Sequence, residues 1–308
     1  MTDHGTLVEG APEFSVVIAT YNDWGPLKEC LRSLAEQNGA PSFEVVVVDD
    51  GSREAAPQFI QDWSKRVPLT VVRQQHRGIS AARNRGAQSA RGATLVSVDA
   101  DCKLQKDCLM KLAATLAEQP QRNYFQLHIV GDLTRLVGRA EELRLLVVQS
   151  HLRQRDGSIR YLNTAGFAMR RTKGTAGGVF DPAALRAEDT LFLANLMRNG
   201  ELPWFAEQAV VQHAISLNVP QYWLKEIRSA YLEARTFDAI ATMGVKVRVT
   251  HRERVDMLRT MWRASEHSSI GRLAWFVLLV RQLLRLAVLK LAEISGMRFH
   301  SRVAEKSS

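Results

Sequence analysis

Four short apolar runs rich in β-branched residues alternate with stretches in which apolar positions recur every three to four residues. Runs of that kind suit strands buried on both faces, and the intervening spacing is helical, so the pattern predicts a parallel sheet covered by helices. The strands fall at 14–20, 43–49, 69–73 and 94–98. The helices that follow them fall at 26–36, near 54–65, at 79–91 and at 105–118, with Pro26 fitting a first helical turn. Downstream the pattern loosens into a helix at 139–151, a strand-like stretch at 161–169, a Gly-rich turn at 174–178, a helix at 184–199 and a strand at 204–213. Beyond Pro220 it turns helical and basic.

In open α/β sheets ligands bind beyond the carboxyl ends of the strands. The conspicuous polar residues stand there: Thr20-Tyr21-Asn22, Asp49-Asp50-Gly51-Ser52 and Asp99-Ala100-Asp101. Each triplet alone would fit an ordinary turn. Three of them converging on one crevice predict a binding site.

Asp99 and Asp101, one residue apart after a buried strand, can both reach one cation, and their hard oxygens suit Mg²⁺ or Mn²⁺; a solvated turn is the alternative. Asp49 and Asp50 could bind a ribose or a base edge, or cap the helix expected near residue 54. In Arg77-Gly78-Ile79-Ser80-Ala81-Ala82-Arg83-Asn84-Arg85-Gly86, Arg83 is the candidate for contact with a base or diphosphate. Ser80 reads as a helix cap, and Arg77 and Arg85 as surface charges.

Composition narrows the class. A chain of 308 residues, 46% hydrophobic and 24% charged, fits one large globular domain plus an appendage. Cys30, Cys102 and Cys108 form no CxxC or CxxH pair and read as reduced thiols rather than a zinc site. Residues 1–13 lack a basic start followed by an apolar run, so a flexible segment and a cytoplasmic protein are expected. From Tyr222 onward 16 Lys and Arg face 8 Asp and Glu, which accounts for nearly all of the net +9. The near-neutral remainder argues against nucleic acid as a partner. The run at 273–280 ends at Arg281, with Arg285 and Lys290 beyond, whereas a membrane span needs about 20 apolar residues. Two readings stand for this tail: a helix packed on the main domain, or an interfacial helix with Trp275, Phe276 and the leucines in a membrane surface, Arg281 and Arg285 sharing one face.

Val16 to Asn22, Asp49-Asp50-Gly51-Ser52, Gly78 to Gly86, Asp99-Ala100-Asp101, Gly177-Gly178-Val179-Phe180-Asp181 and Glu188-Asp189 resemble the family 2 glycosyltransferases in order and spacing. The resemblance implies a Rossmann-like GT-A fold of the α/β class with a mostly parallel central sheet. It frames a catalytic region at 14–219, divided into a nucleotide-binding half (14–120) and an acceptor-binding half (121–219), followed by a basic helical region at 220–308. It also implies inverting transfer from a UDP- or GDP-sugar to a hydroxyl of a saccharide, lipid-linked saccharide or other small molecule, with Mn²⁺ or Mg²⁺.

Residue by residue, Thr20, Tyr21, Asp49 and Arg83 match positions that hold the nucleotide, with Asp50 close by. Asp99 and Asp101 match the DxD motif, Asp99 also facing the nucleotide sugar and Asp101 the more direct metal ligand. Asp189 matches the catalytic base; its alternative is a helix-terminal pair with Glu188 that answers the dipole. Gly177, Gly178 and Glu188 fall on the acceptor side. His213 resembles the histidine that completes the metal site in some members, a structural histidine being the alternative. The family often has Gly before the Glu-Asp pair and Asp two residues after it, where this chain has Ala187 and Leu191. The QxxRW motif of processive synthases is absent, so single transfer is expected. A nucleotidyltransferase would carry a Gly-rich basic loop after the first strand, unlike Thr20-Tyr21-Asn22-Asp23-Trp24. A non-catalytic binding protein has no need of both Asp101 and Asp189.

Overall fold

The computed structural model describes residues 10–266 and 269–294; most of the N-terminal segment expected to be flexible lies outside them. In chain order the elements are β1 (Phe14–Thr20), α1 (Trp24–Ala35), β2 (Phe43–Asp49), α2 (Phe59–Ser64), β3 (Leu69–Arg73), α3 (Ile79–Ser89), β4 (Thr94–Asp99), β5 (Cys102–Leu104) and α4 (Cys108–Glu118). They continue with β6 (Tyr124–Gly131), α5 (Leu136–Leu152), β7 (Gly166–Arg170), α6 (Glu188–Arg198), β8 (Trp204–His213), α7 (Val219–Ala241), α8 (His251–Ala264) and α9 (Ser269–Ile294).

The strands form one sheet ordered β3-β2-β1-β4-β7-β6-β8-β5. It is parallel through β3-β2-β1-β4 and mixed beyond, where β7 runs antiparallel to β4 and β6, β6 and β8 pair in parallel, and β5 runs antiparallel to β8. The valine run of β2 is buried on both faces because helices cover both. On one face the core joins the sheet to Leu27 and Leu31 of α1 and Leu109 and Leu112 of α4. On the other it joins the sheet to Ala87 of α3 and Leu191, Leu193 and Leu196 of α6. Gly86 permits the closest of these approaches, since a Cβ there would lie 2.2 Å from Val17 Cγ1.

Register places the site. Thr20 pairs with Asp49, and Ala19 with both Val48 and Asp99, so β1, β2 and β4 end level with one another. The chain winds outward from β1 to β3 and returns to β4 on the other side of β1, which opens a crevice between β1 and β4.

Several boundaries differ from expectation. The helix near residue 54 begins only at Phe59, because Pro57 cannot donate to a helix and the loop before it is tied to Asn22: Asn22 N donates to Ser52 Oγ and Arg53 N to Asn22 Oδ1. The helix expected from 105 begins at Cys108, Gln105 N being bound to Val210 O at the sheet edge. The strand-like 161–169 is a strand only from Gly166, and α6 starts at Glu188 after a left-handed Ala187.

A third core packs Val137 and Ala140 of α5 against Tyr222 of α7, Met257 and Met261 of α8, and Val277 and Leu278 of α9. In this packing one side of the tail is turned to the main body. Arg281 and Arg285 turn inward to Glu226, and Arg285 also binds Glu233. Trp275 packs edge-on against Trp262 and donates to Leu258 O. Phe276, 52% exposed, points outward with Leu273 and Leu283. No helix among the described residues is long and apolar enough to cross a membrane.

Candidate active site

The crevice opens into a cavity of about 630 Å³ whose wall includes Thr20, Asp99 and Asp101 at the strand ends, Arg83 of α3, and Glu188 and Asp189 of α6; it extends between α5, α7, α8 and α9. Thr20 Oγ1 is buried and has no hydrogen-bond partner among the described residues.

Pairing of Cys102 with His213 across β5 and β8 brings Asp101 to the histidine, whose Nε2 lies 3.2 Å from Asp101 Oδ2. Burial opposes charge on both groups, but their contact prevails: the Asp101 carboxyl is lowered and the His213 imidazolium is raised. Asp101, Cys102 and His213 offer ligand atoms within 4.8 Å of one another. Cys102 is a soft donor, ill-matched to a hard cation, and burial and the charges of Asp99 and Asp101 push its thiol well up. Carboxylate oxygens and an imidazole nitrogen are donors that suit Mn²⁺ or Mg²⁺; Asp99 stands in the same wall, with its Oδ1 bound to Arg83. Asp23, which the motif pattern did not single out, joins the same wall; burial and the Asp101 charge raise its carboxyl.

Arg83 lies in the cavity wall and is engaged there by protein carboxylates. Only 5% exposed, it donates through Nη2 to Asp99 Oδ1 at 2.7 Å and through Nη1 to Glu188 Oε1 at 2.5 Å. Its guanidinium is therefore taken up by two carboxylates and braces β4 to α6 rather than standing free for a nucleotide. The two acids keep it charged in spite of burial. Glu188, expected on the acceptor side, is the far end of this brace.

Asp49 and Asp50 are likewise engaged locally, and neither is part of the cavity wall. Asp49 Oδ1 accepts from Ser52 N, and Oδ2 lies 3.4 Å from Arg73. Asp50 anchors the 74–78 loop by accepting from Gln74 Nε2, Arg77 N and Gly78 N, with His76 Nδ1 2.9 Å away. The expected helix cap is not formed by either aspartate. His76, also absent from the motif reading, stacks on Tyr21 with ring centroids 4.1 Å apart and so fixes the aromatic face at the cavity mouth. Gly177 and Gly178 sit against α3 and away from the cavity wall: Gln88 Nε2 donates to Gly177 O, and a Cβ on Gly178 would lie 2.3 Å from Asn84 Oδ1.

Asp189 does face the cavity. Its Oδ1 accepts from Thr190 N and Thr190 Oγ1. Burial and then the neighbouring Glu188 charge raise its carboxyl to about 7, against the pull of Arg83 and Arg186. The left-handed φ of +61° at Ala187 gives a physical reason why glycine would suit this position.

The sequence profile described as "Glycosyl transferase family 2" matches residues 15–176, more than half of the chain. The chain belongs to glycosyltransferase family 2. Within the family it is 29% identical over 109 residues to glycosyltransferase AglE of Haloferax volcanii, an alignment covering 34% of this chain and 36% of that protein. The chain spans about a third of the length of the curated relatives it matches. Among solved structures it shares the GT-A fold of mannosyltransferase PcManGT from Pyrobaculum calidifontis in complex with GDP-Man and Mn²⁺, with a TM-score of 0.61, 20% identity and coverage of 93% of this chain and 76% of that one. It is also similar to S. aureus TarS 1-349 in complex with UDP-GlcNAc, with a TM-score of 0.53, 18% identity and 92% of each chain covered.

Proposed function

We propose that this chain is an inverting glycosyltransferase that moves one sugar from a UDP- or GDP-sugar to a hydroxyl acceptor with the help of Mn²⁺ or Mg²⁺. The observation that carries this reading is the sharing of one cavity by a carboxyl held near 7, Asp189, and the Asp99, Asp101 and His213 donor set. Asp99, Asp101 and His213 would hold the ion, which when bound neutralises charge on the leaving diphosphate. Thr20 Oγ1 and the face of Tyr21 would contact the nucleotide. Asp189 would take the proton of the acceptor hydroxyl, since a carboxyl near 7 is basic enough to accept it and is substantially ionised at neutral pH. Attack from the face opposite the diphosphate inverts the anomeric centre. The GDP-Man, Mn²⁺ and UDP-GlcNAc named for the two structural neighbours support a donor of this class.

Turnover of UDP- and GDP-sugars by the purified protein, measured with Mn²⁺, with Mg²⁺ and with EDTA, tests this. Asp101→Ala should cost at least about a hundredfold in kcat/KM. Undiminished turnover in both Asp101→Ala and Asp189→Asn would remove the assignment.

The outward face of α9 supports a peripheral contact of this enzyme with the cytoplasmic membrane surface. Ile270, Leu273, Phe276, Leu283, Leu291 and Ile294 are all exposed along a helix roughly 39 Å long. Sedimentation with anionic vesicles should be reduced in a Phe276→Asp, Leu283→Asp double variant. Equal sedimentation of variant and wild type would eliminate this contact.

A further inference from the structure

Beyond Asp189 the cavity runs between α7, α8 and α9, and its far wall carries Arg248, Arg254, Arg281 and Arg285. The last two are answered by Glu226 and Glu233. Arg254 and Arg248 are not: among the described residues neither forms an ion pair. Arg248 lies over the ring of Phe237, 4.4 Å from its centroid, and Phe237 is itself part of the wall. Arg254 is half-buried, and burial together with the charges of Arg248 and Arg285 lowers its pKa. Arg281 Nε adds a buried donor with no acceptor. Arg248 and Arg254, close enough to repel and without a carboxylate of their own among the described residues, are left for an anion to answer, and a phosphate suits them because guanidinium forks bind its oxygens in pairs. The adjoining wall is apolar, through Val249, Met257, Leu258, Leu278 and Leu289.

We infer that Arg248 and Arg254 form an anion subsite at the acceptor end of the cavity, which selects an acceptor bearing a phosphate or diphosphate ester. This rests on the glycosyltransferase reading only for the word acceptor; the subsite is a binding site whether or not transfer occurs. An amphiphilic phosphate fits the paired chemistry of the wall, charge beside hydrocarbon.

The test is equilibrium binding to the full chain in EDTA, conditions that withhold the cation a diphosphate would need at Asp101. Dodecyl phosphate, inorganic phosphate and dodecanol are compared by calorimetry. Dodecyl phosphate should bind, and Arg254→Gln with Arg248→Gln should weaken it by about tenfold or more, with Arg254→Lys intermediate. Thermal unfolding of each variant reports whether it folds. Arg248 is exposed, so Arg248→Gln alone, with an expected loss of severalfold, decides the matter should Arg254→Gln fail to fold. Displacement of dodecyl phosphate by equimolar inorganic phosphate would identify a free-anion site, whereas a clear preference for dodecyl phosphate would identify a phosphate ester with an apolar body. Dodecanol binding as tightly as dodecyl phosphate, or arginine variants binding like wild type, would overturn the subsite. Binding of UDP with Mn²⁺, measured on the same samples, reports separately on the donor end, so the two proposals fail independently.

Discussion

At the strand ends the cavity wall carries Asp23, Asp99, Asp101, Glu188 and Asp189 beside Arg83, Arg186, His213 and Lys225, whereas between α5, α7, α8 and α9 it carries Arg144, Arg248, Arg254, Arg281 and Arg285 beside Glu141, Glu226 and Glu233. The two ends treat their carboxylates differently. At the first, like charges crowd together and burial raises Asp23 and Asp189. At the second, Glu141 is held far below the usual carboxylate range in spite of burial, by Arg144, Arg281 and the Tyr222 hydroxyl. Acids that repel are poised for chemistry, and acids that are matched hold helices together. On this view Asp23 and Asp189 cost stability, and the matched acids of the helical end supply it.

The largest effect expected from that contrast is at Asp189. Asp189→Asn should lower kcat by about 10² to 10⁴-fold and yet raise the melting temperature by roughly 2 °C at pH 8. The sign follows from linkage: a carboxyl raised from 3.8 to about 7 in the folded state binds its proton more tightly there than in the unfolded chain. Stability therefore falls as pH rises from about 4 to 7, and the amide escapes that fall. In the wild type kcat/KM should climb with a midpoint near pH 7 as Asp189 ionises. Stability that drops in Asp189→Asn, or a pH–rate profile flat from 5 to 8, would break the contrast at its acidic end.

A smaller effect, on stability alone, is expected from Glu226→Gln. It leaves Arg281 and Arg285 without their shared carboxylate and should cost on the order of 3 kcal/mol in denaturant unfolding. Metal-dependent nucleotide binding should be unchanged. A neutral Glu226→Gln would mean that the helical end does not depend on its ion pairs.

How much of this was legible in the sequence depends on the range over which each interaction acts. The valine runs and the Asp99-Ala100-Asp101 step declared β1, β2 and β4 and their polar ends, because burial on both faces is a local pattern. The 204–213 strand was legible with His213 at its end, but not that β5 would form beside it: three residues, Cys102 to Leu104, are too few to show a period. β6 was missed although Phe125, Leu127 and Ile129 alternate, since His128 and Gln126 gave its other face no turn-bounded outline. Arg83 was legible as a site residue, but its protein partners were not. Its link to Glu188 spans 105 positions and follows only from the packing of α3 beside α6. The inward turn of Arg281 and Arg285 was hidden for the same reason, because helical spacing shows that two side chains share a face without showing what that face meets.

The Arg83 brace acts as a ruler. One guanidinium touches Asp99 at the end of β4 and, at the start of α6, the residue beside Asp189. Under the proposed mechanism, the gap that donor and acceptor must share is thus gauged by the reach of one rigid side chain. A shorter cation there would keep every reacting group and change the spacing between them, so that the alignment of attack, and with it the rate, depends on a residue that forms no bond in the reaction.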